Sequence, residues 1–185
     1  MKSIARLALT LTLGLLFVVA GCASIPPSQW PGRPLPPLPL AHSLQGPSWS
    51  ASDARGKVTV LEIWQVGCPG CMSHSMPSAQ RLYERYADDP RVHVQTIATA
   101  LHKDKRPDIA EDTTIRGTLR SNGWTVPTMR DAHDDICDRI PVGEYAGTPT
   151  ALVIDEQGVI RWHGFHSSDE ATAALHAMVE RLLAD

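Results

Sequence analysis

The sequence predicts a single α/β domain in which helices flank a central mixed β-sheet. Two segments point to it: a strand–helix–strand pattern that begins at Val58, and a later hairpin pattern with its turn at Gly158, followed by a helix. The strand–helix–strand unit implies a parallel, right-handed crossover, whereas a hairpin is antiparallel. A sheet that contains both kinds of pairing is mixed.

The first half of the domain is predicted to contain two strands and the helix between them. The apolar run over residues 58–64 is the first strand, and residues 69–87 form a helix that ends at Asp88-Asp89-Pro90. Residues 92–98 are mostly apolar or alternating and form the second strand.

The second half is predicted from weaker patterns at first and clearer ones later. Residues 111–122 and 134–140 indicate helices, and residues 126–129 a short strand whose Pro127 favours a sheet edge. Residues 150–155 and 159–165 form the hairpin. The last helix begins at a predicted capping box, Ser167 with Glu170, and continues with apolar residues at helical spacing.

The first 21 residues are predicted to be a targeting segment. Lys2 and Arg6 precede a short apolar run, and Val19-Ala20-Gly21-Cys22 resembles the lipobox of bacterial lipoproteins. That resemblance implies cleavage before Cys22, which then carries the lipid and anchors the protein to a membrane facing the periplasm. With Ala23 and Ser24 and no Asp after Cys22, the outer membrane is slightly favoured over the inner. An ordinary signal peptide, cut elsewhere, is the alternative.

Residues 22–43 are predicted to be a tether between the lipid and the domain. Seven of the fourteen residues from Pro26 to Pro39 are proline, which favours an extended polyproline II spacer. The domain is then expected to cover residues 44–185, enough for one core.

The charge balance argues against nucleic-acid binding. The chain has 17 basic and 20 acidic side chains, and removal of Lys2 and Arg6 leaves 15 basic ones and a formal charge of −5. A nucleic-acid-binding domain is expected to present a basic face.

Cys68-Pro69-Gly70-Cys71 carries the chemistry of the chain. It lies between the first strand and the first helix, where the helix dipole favours a thiolate. Such a dithiol can exchange with another disulfide: Cys68 attacks and Cys71 resolves the mixed disulfide. Half of a zinc site and a static disulfide are the alternatives, although no second Cys-x-x-Cys is present.

Three motifs in the expected order resemble the thioredoxin fold. They are Val60-Leu61-Glu62-Ile63-Trp64, the dithiol, and Gly147-Thr148-Pro149-Thr150; the upstream Asp53–Val58 resembles the entry to that fold in the TlpA/ResA group of thiol-disulfide oxidoreductases. The likeness covers roughly residues 44–184. It implies an enzyme that needs no dissociable cofactor, with protein disulfides or dithiols as substrates and an upstream dithiol protein as electron-transfer partner. The family favours reduction, including service to cytochrome c maturation.

The resemblance also assigns residues around the dithiol. Pro149 is expected to be cis and to lie against the cysteines, while the Thr148 backbone pairs with the substrate; Trp64 is assigned to the same substrate contacts. Glu62 matches the buried acid of thioredoxins. Burial would raise its pKa, and it would take the proton of Cys71 during exchange. A solvent-facing glutamate is the alternative.

The chain departs from the thioredoxin pattern at three points. Gly67 stands where a Trp usually precedes the first cysteine, and the Pro69-Gly70 order is reversed. Pro77 lies six residues after Cys71 rather than five, which predicts an extra residue or a kink in the first helical turn.

Two other functions remain as alternatives. A copper- or metal-binding module would use Cys68, Cys71 and His74, and a peroxiredoxin-like thiol peroxidase would require Thr or Ser where Gln65 stands. His74 is otherwise expected on the helix surface. Cys137 is predicted to be a small buried hydrophobe, with a third redox thiol as the alternative.

Overall fold

A computed structural model of the protein describes residues 29–39, 42–99, 111–131, 136, 139–140 and 147–184. The predicted signal peptide, Cys22 and Cys137 lie outside these residues, as does most of the helix predicted at 134–140. No helix within the described ranges is long and apolar enough to cross a membrane.

In the part of the chain that the structure describes, the sheet has six strands in the order β1-β4-β3-β2-β5-β6. Their bounds are β1 His42–Gln45, β2 Val58–Trp64, β3 Val92–Thr99, β4 Thr128–Asp131, β5 Thr150–Ile154 and β6 Ile160–Phe165. β2 pairs in parallel with β3 and antiparallel with β5, and β5 and β6 form the antiparallel hairpin. The prediction of a mixed sheet is therefore confirmed.

Among the described residues, three α-helices accompany the sheet: α1 Met76–Arg85, α2 Asp112–Ser121 and α3 Asp169–Ala184. All three contribute to one buried cluster, which also contains Val60, Trp64 and Cys71. A second cluster contains Leu61 and Ile63, on the opposite face of β2. β2 is buried along its whole length, which explains its nearly continuous apolar sequence.

The edge position predicted for the strand at Pro127 is wrong. β4 lies between β3 and β1. The strand at this edge of the sheet is β1, which the sequence pattern did not predict. Pro127 precedes the first residue of β4, and its carbonyl accepts a hydrogen bond from the Thr96 amide (2.9 Å). A proline at this position needs no N–H, so it does not prevent pairing on both sides.

The described part of the predicted tether packs on the domain. Trp30 is buried in the second cluster, and Leu35 and Leu38 pack against it. The Gly32 amide donates to the Ile160 carbonyl (2.7 Å). The domain therefore starts before the predicted boundary at residue 44, because apolar side chains between the prolines anchor this strap, residues 29–39, to β6.

The predicted capping box of the last helix is displaced by one residue. The hydroxyl of Ser168, not that of Ser167, accepts a hydrogen bond from the Ala171 amide (3.2 Å). Ser168 is thus the capping residue of α3, and Ser167 is left to pack near the dithiol.

Candidate active site

The dithiol lies just beyond the carboxyl end of β2. Cys68 is partly exposed and Cys71 is fully buried, and both are free thiols. The Cys71 amide donates to Cys68 Sγ (3.3 Å), and Cys68 Sγ lies 3.2 Å from the Thr148 carbonyl oxygen, where the neutral thiol donates. The exposed sulfur therefore sits between the helix and the loop that precedes β5.

The two thiols differ in their affinity for a proton. Hydrogen bonding from the Cys71 side chain, aided by the backbone at Cys71 and Gly70, lowers the pKa of Cys68 to about 6. Burial, with the neighbouring Cys68, raises the pKa of Cys71 above its usual range. At neutral pH Cys68 is therefore mainly a thiolate, whereas Cys71 remains protonated.

Gly67 stands where a Trp is usual, and its backbone conformation explains the glycine. Its φ is +78°, in the left-handed region that side-chain-bearing residues rarely adopt. The turn that delivers Cys68 to the surface thus requires glycine in this chain.

The six-residue spacing between Cys71 and Pro77 is accommodated by a π-helical turn over Cys71–Ser75. Its closing bond runs from the Met76 amide to the Cys71 carbonyl, five residues back. The predicted extra residue in the first turn is confirmed. Such turns absorb one inserted residue and are frequent at functional sites.

A close approach of two loops forms the wall of the site. The Thr148–Pro149 bond is cis, as the resemblance implied. A Cβ built at Gly70 would lie 2.9 Å from Ser167 Cβ and 3.2 Å from Pro149 Cδ. Gly70 therefore lets the proline loop and the start of α3 lie directly against the dithiol turn.

Glu62 is fully buried in the central strand, which rules out the solvent-facing alternative. By strand alternation it shares a face with Val60 and Trp64, whose cluster includes Cys71. Burial raises the pKa of Glu62, and its hydrogen bond to His166 opposes that shift. The Cys68 thiolate, a like charge, raises the pKa of Glu62 further.

His166 was not predicted by the sequence analysis. Its side chain is 1% exposed, and Nδ1 lies 2.7 Å from Glu62 Oε2. His166 follows the end of β6 and precedes two serines, a pattern typical of a polar turn, so no periodicity marked it. Only the pairing of Glu62 with a partner across 104 residues reveals it.

The predicted substrate contact at Trp64 is wrong. Its side chain is fully buried and packs edge-to-face on Trp124, with ring centroids 6.1 Å apart. It lies on the helix-covered face of β2, so it fills the core and cannot reach a docked protein.

The metal-binding alternative has no geometric support. Within the described ranges, no group of three His, Cys, Asp or Glu side chains could hold a metal ion. His74 is instead partly exposed; its Nδ1 lies 2.7 Å from Ser73 Oγ and its Nε2 4.0 Å from Asp169.

The amino-acid sequence matches a protein family and a thioredoxin-like protein of a bacterium. Residues 31–163 match the model of the AhpC/TSA family. The thioredoxin-like protein YneN of Bacillus subtilis is 28% identical over 130 residues, which cover 70% of this chain and 68% of that protein.

Solved structures agree with the fold. A thiol-disulfide isomerase from Corynebacterium glutamicum is 25% identical with a TM-score of 0.65, over 82% of this chain and 97% of that one. A putative thiol:disulfide interchange protein DsbE from Chlorobium tepidum is 19% identical with a TM-score of 0.66, over 83% and 97%; this likeness concerns the fold alone.

The peroxidase alternative is not favoured, since YneN and the C. glutamicum protein are named for a thioredoxin-like fold and for thiol-disulfide chemistry. The chain therefore belongs to the AhpC/TSA family and is a thiol-disulfide oxidoreductase with a thioredoxin-like fold.

Proposed function

We propose that this protein reduces disulfide bonds in proteins outside the cytoplasm, with Cys68 as the attacking thiol. The observation that carries the proposal is the asymmetry of the dithiol. A partly exposed Cys68 with a pKa of about 6 stands beside a fully buried Cys71. An exposed thiolate can attack a substrate while the second thiol is kept back.

The reaction proceeds in two exchanges. Cys68 thiolate attacks one sulfur of the substrate disulfide, forming a mixed disulfide and releasing the other sulfur as a thiolate. Cys71 then loses its proton and attacks Cys68, which breaks the mixed disulfide and releases the second substrate thiolate. The substrate gains two electrons and the enzyme ends as the Cys68–Cys71 disulfide, which an upstream dithiol protein must reduce.

Glu62 takes the proton of Cys71 in the second exchange. The raised pKa of Cys71 makes a base necessary at neutral pH, and burial brings the pKa of Glu62 up from that of an ordinary carboxylate. Its place on the Cys71 face of β2 supports this role.

Thr148 and Pro149 dock the substrate. The Thr148 carbonyl lies beside Cys68 Sγ at 3.2 Å, so a polypeptide that runs antiparallel to this loop could bring its own sulfur to Cys68. Backbone pairing of this kind accepts many sequences, because it uses main-chain groups.

The thiol pKa supports a reducing enzyme. Thioredoxin's nucleophilic thiol has a pKa of about 7 and the oxidant DsbA's about 3.5. The pKa of about 6 for Cys68 is nearer to that of thioredoxin than to that of DsbA. A lower thiol pKa stabilises the reduced thiolate and makes the couple more oxidising, so this pKa supports a reducing couple.

Attachment through a lipid on Cys22, facing the periplasm and with the outer membrane slightly favoured, completes the proposal. Cys22 is the last residue of the lipobox-like sequence Val19-Ala20-Gly21-Cys22. Radiolabelled palmitate should enter the wild-type protein and not Cys22→Ser, and the wild type should fractionate with outer membranes. Unlabelled wild-type protein in the soluble fraction would contradict the anchor.

Trapping of the mixed disulfide tests the exchange. Cys71→Ser should accumulate a covalent complex with an oxidised protein substrate, which dithiothreitol releases, because the resolving thiol is missing. Cys68→Ser should form none and should fail to reduce insulin. Equal turnover of insulin by Cys68→Ser and wild type would overturn the proposed chemistry.

A further inference from the structure

The buried histidine next to Glu62 has no part in the exchange as described above. His166 Nδ1 lies 2.7 Å from Glu62 Oε2, and the two side chains are 1% and 0% exposed. An ionisable pair this deeply buried is expensive to maintain unless each partner compensates the other. Its partner Glu62 lies on the face of β2 whose cluster includes Cys71, so the pair calls for a chemical role.

Backbone and side-chain bonds hold His166 in one orientation. Its amide donates to the carbonyl of Pro149 (3.1 Å), and its Nε2 lies 3.0 Å from Thr172 Oγ1 in the first turn of α3. The Thr172 hydroxyl in turn donates to the Ser168 carbonyl (3.0 Å). With its proton engaged there, the Thr172 oxygen accepts from Nε2, so Nε2 carries a hydrogen.

The remaining proton of the pair is shared between Nδ1 and Glu62 Oε2. Either Glu62 is a carboxylic acid that donates to a neutral imidazole, or a protonated His166 donates to a carboxylate. Both forms are neutral overall. An isolated buried carboxylate would instead pick up a proton, because burial opposes its charge.

The second oxygen of Glu62 is available. Oε1 is buried and accepts no hydrogen bond of good geometry from the residues that the structure describes. A carboxylate whose Oε2 is held by His166 therefore presents Oε1 on the face of β2 that also carries Cys71, with the buried Ser75 side chain near enough to favour the charged form.

We propose that His166 is a positioning residue that keeps Glu62 ionised in a net-neutral pair, so that Glu62 can accept the proton of Cys71. The inference rests on the proposed function and deepens it. The proton moves from Cys71 Sγ to Glu62, the Cys71 thiolate forms the S–S bond to Cys68, and the Cys68–substrate bond breaks with its electron pair on the substrate sulfur.

Other titratable groups near the pair are few among the described residues. Cys68 and Cys71 face it from the dithiol turn. His176 faces it from α3, and burial lowers the pKa of His176. The strand neighbours of Glu62, Thr96 and Ala151, do not titrate. A pH effect that depends on both Glu62 and His166 can therefore be separated from these groups by substitution.

The test follows the resolving step alone, in the full-length protein. Cys68 is loaded with thionitrobenzoate, and release of this chromophore by Cys71 is followed by stopped flow from pH 5 to 9. His166→Asn keeps a neutral hydrogen-bond donor but no charge. Its release should be about tenfold slower at pH 7, with the midpoint of the pH profile at least about one unit higher.

Three comparisons make the result specific. Glu62→Gln should be slow throughout and should lose the midpoint, and adding His166→Asn to it should change the rate less than twofold. His176→Asn is the matched control, because His176 bonds Ser78 (3.0 Å) and not Glu62; it should resolve within twofold of wild type. An unchanged profile for His166→Asn would overturn the inference.

A measurement on the wild type covers the case in which His166→Asn fails to fold. In ¹⁵N-labelled reduced protein at pH 7, both ring nitrogens of His166 should carry a proton. A bare Nδ1 would overturn the inference while leaving exchange intact. Failure of the proposed function looks different: wild-type protein would then release no thionitrobenzoate and reduce no insulin.

Discussion

The two cysteines of the dithiol are three residues apart but have different surroundings. Cys68 is partly exposed and receives hydrogen bonds that stabilise its thiolate, whereas Cys71 is enclosed by the main core cluster. In the proposed reaction this difference sets the order of the two exchanges: the thiol that is charged and accessible attacks first.

Alkylation of reduced protein by iodoacetamide tests the charge of Cys68. The rate should rise with pH and reach half its maximum near pH 6, because the thiolate is the nucleophile and the pKa of Cys68 lies at about 6. Cys71→Ala should move the midpoint to higher pH, since it removes the thiol that lowers this pKa. A wild-type midpoint near 9 would contradict the assignment.

Gly70 tests the close approach around the dithiol. Gly70→Ala adds one methyl group 2.9 Å from Ser167 Cβ, so it should destabilise the protein by about 1–3 kcal/mol in urea unfolding and slow insulin reduction. Gly117→Ala is the matched control. It adds the same group inside α2 where no atom lies within 4 Å, and should stabilise by about 0.5–1 kcal/mol. Equal effects of the two would contradict the packing.

At this scale the sequence was informative where a residue stood out from its local pattern. Glu62 is an acid in an apolar strand, and its burial was predicted. His166 lies in a polar turn. Its role is visible only in the structure, where β6 pairs with β5, the neighbour of β2, and His166 reaches Glu62. Trp64 was misassigned because its closeness to the dithiol in the sequence does not show that the core covers its side chain.

Among the elements, the π-helical turn is the feature that links sequence spacing to the site. One extra residue between Cys71 and Pro77 is absorbed there. Ser75, the last residue of the turn, is buried and lowers the pKa of Glu62. The spacing between Cys71 and Pro77 predicted the irregular turn. The position of Ser75 next to Glu62 depends instead on how α1 packs on β2.

The N-terminal strap is the element that the sequence misjudged most. Its prolines predicted an extended spacer, but the strap contains a turn at Pro31 and Gly32, and Trp30 and Leu35 hold it on the sheet. Composition does not reveal whether scattered apolar residues find a surface to cover.

Substitution of Trp30 distinguishes a packed strap from a free tether. Trp30→Ala should lower the free energy of unfolding by about 3–5 kcal/mol, as for other buried tryptophans, because the side chain is 5% exposed. Gln29→Ala, next to it and exposed, should change stability by less than about 0.5 kcal/mol. If both variants unfolded like wild type, the strap would not be part of the core.

For the whole molecule, the order of strands explains why the active site lies where it does. The parallel β2–β3 crossover and the antiparallel β2–β5 pair place the start of α1 and the loop before β5 at the same end of the sheet. The order of the predicted elements, a strand–helix–strand unit followed by a hairpin and a helix, predicted this architecture. The edge strand β1 was missed because its four residues, His42–Gln45, carry no apolar pattern.

The central claim is that Cys68 and Cys71 form a reducing couple, and its reduction potential tests this most directly. Equilibration of full-length protein with thiol–disulfide buffers, followed by counting of free thiols, should give a two-electron couple within a few tens of millivolts of thioredoxin's value of about −270 mV. A couple near −120 mV, typical of an oxidant, or cysteines that never join in a disulfide, would contradict the account.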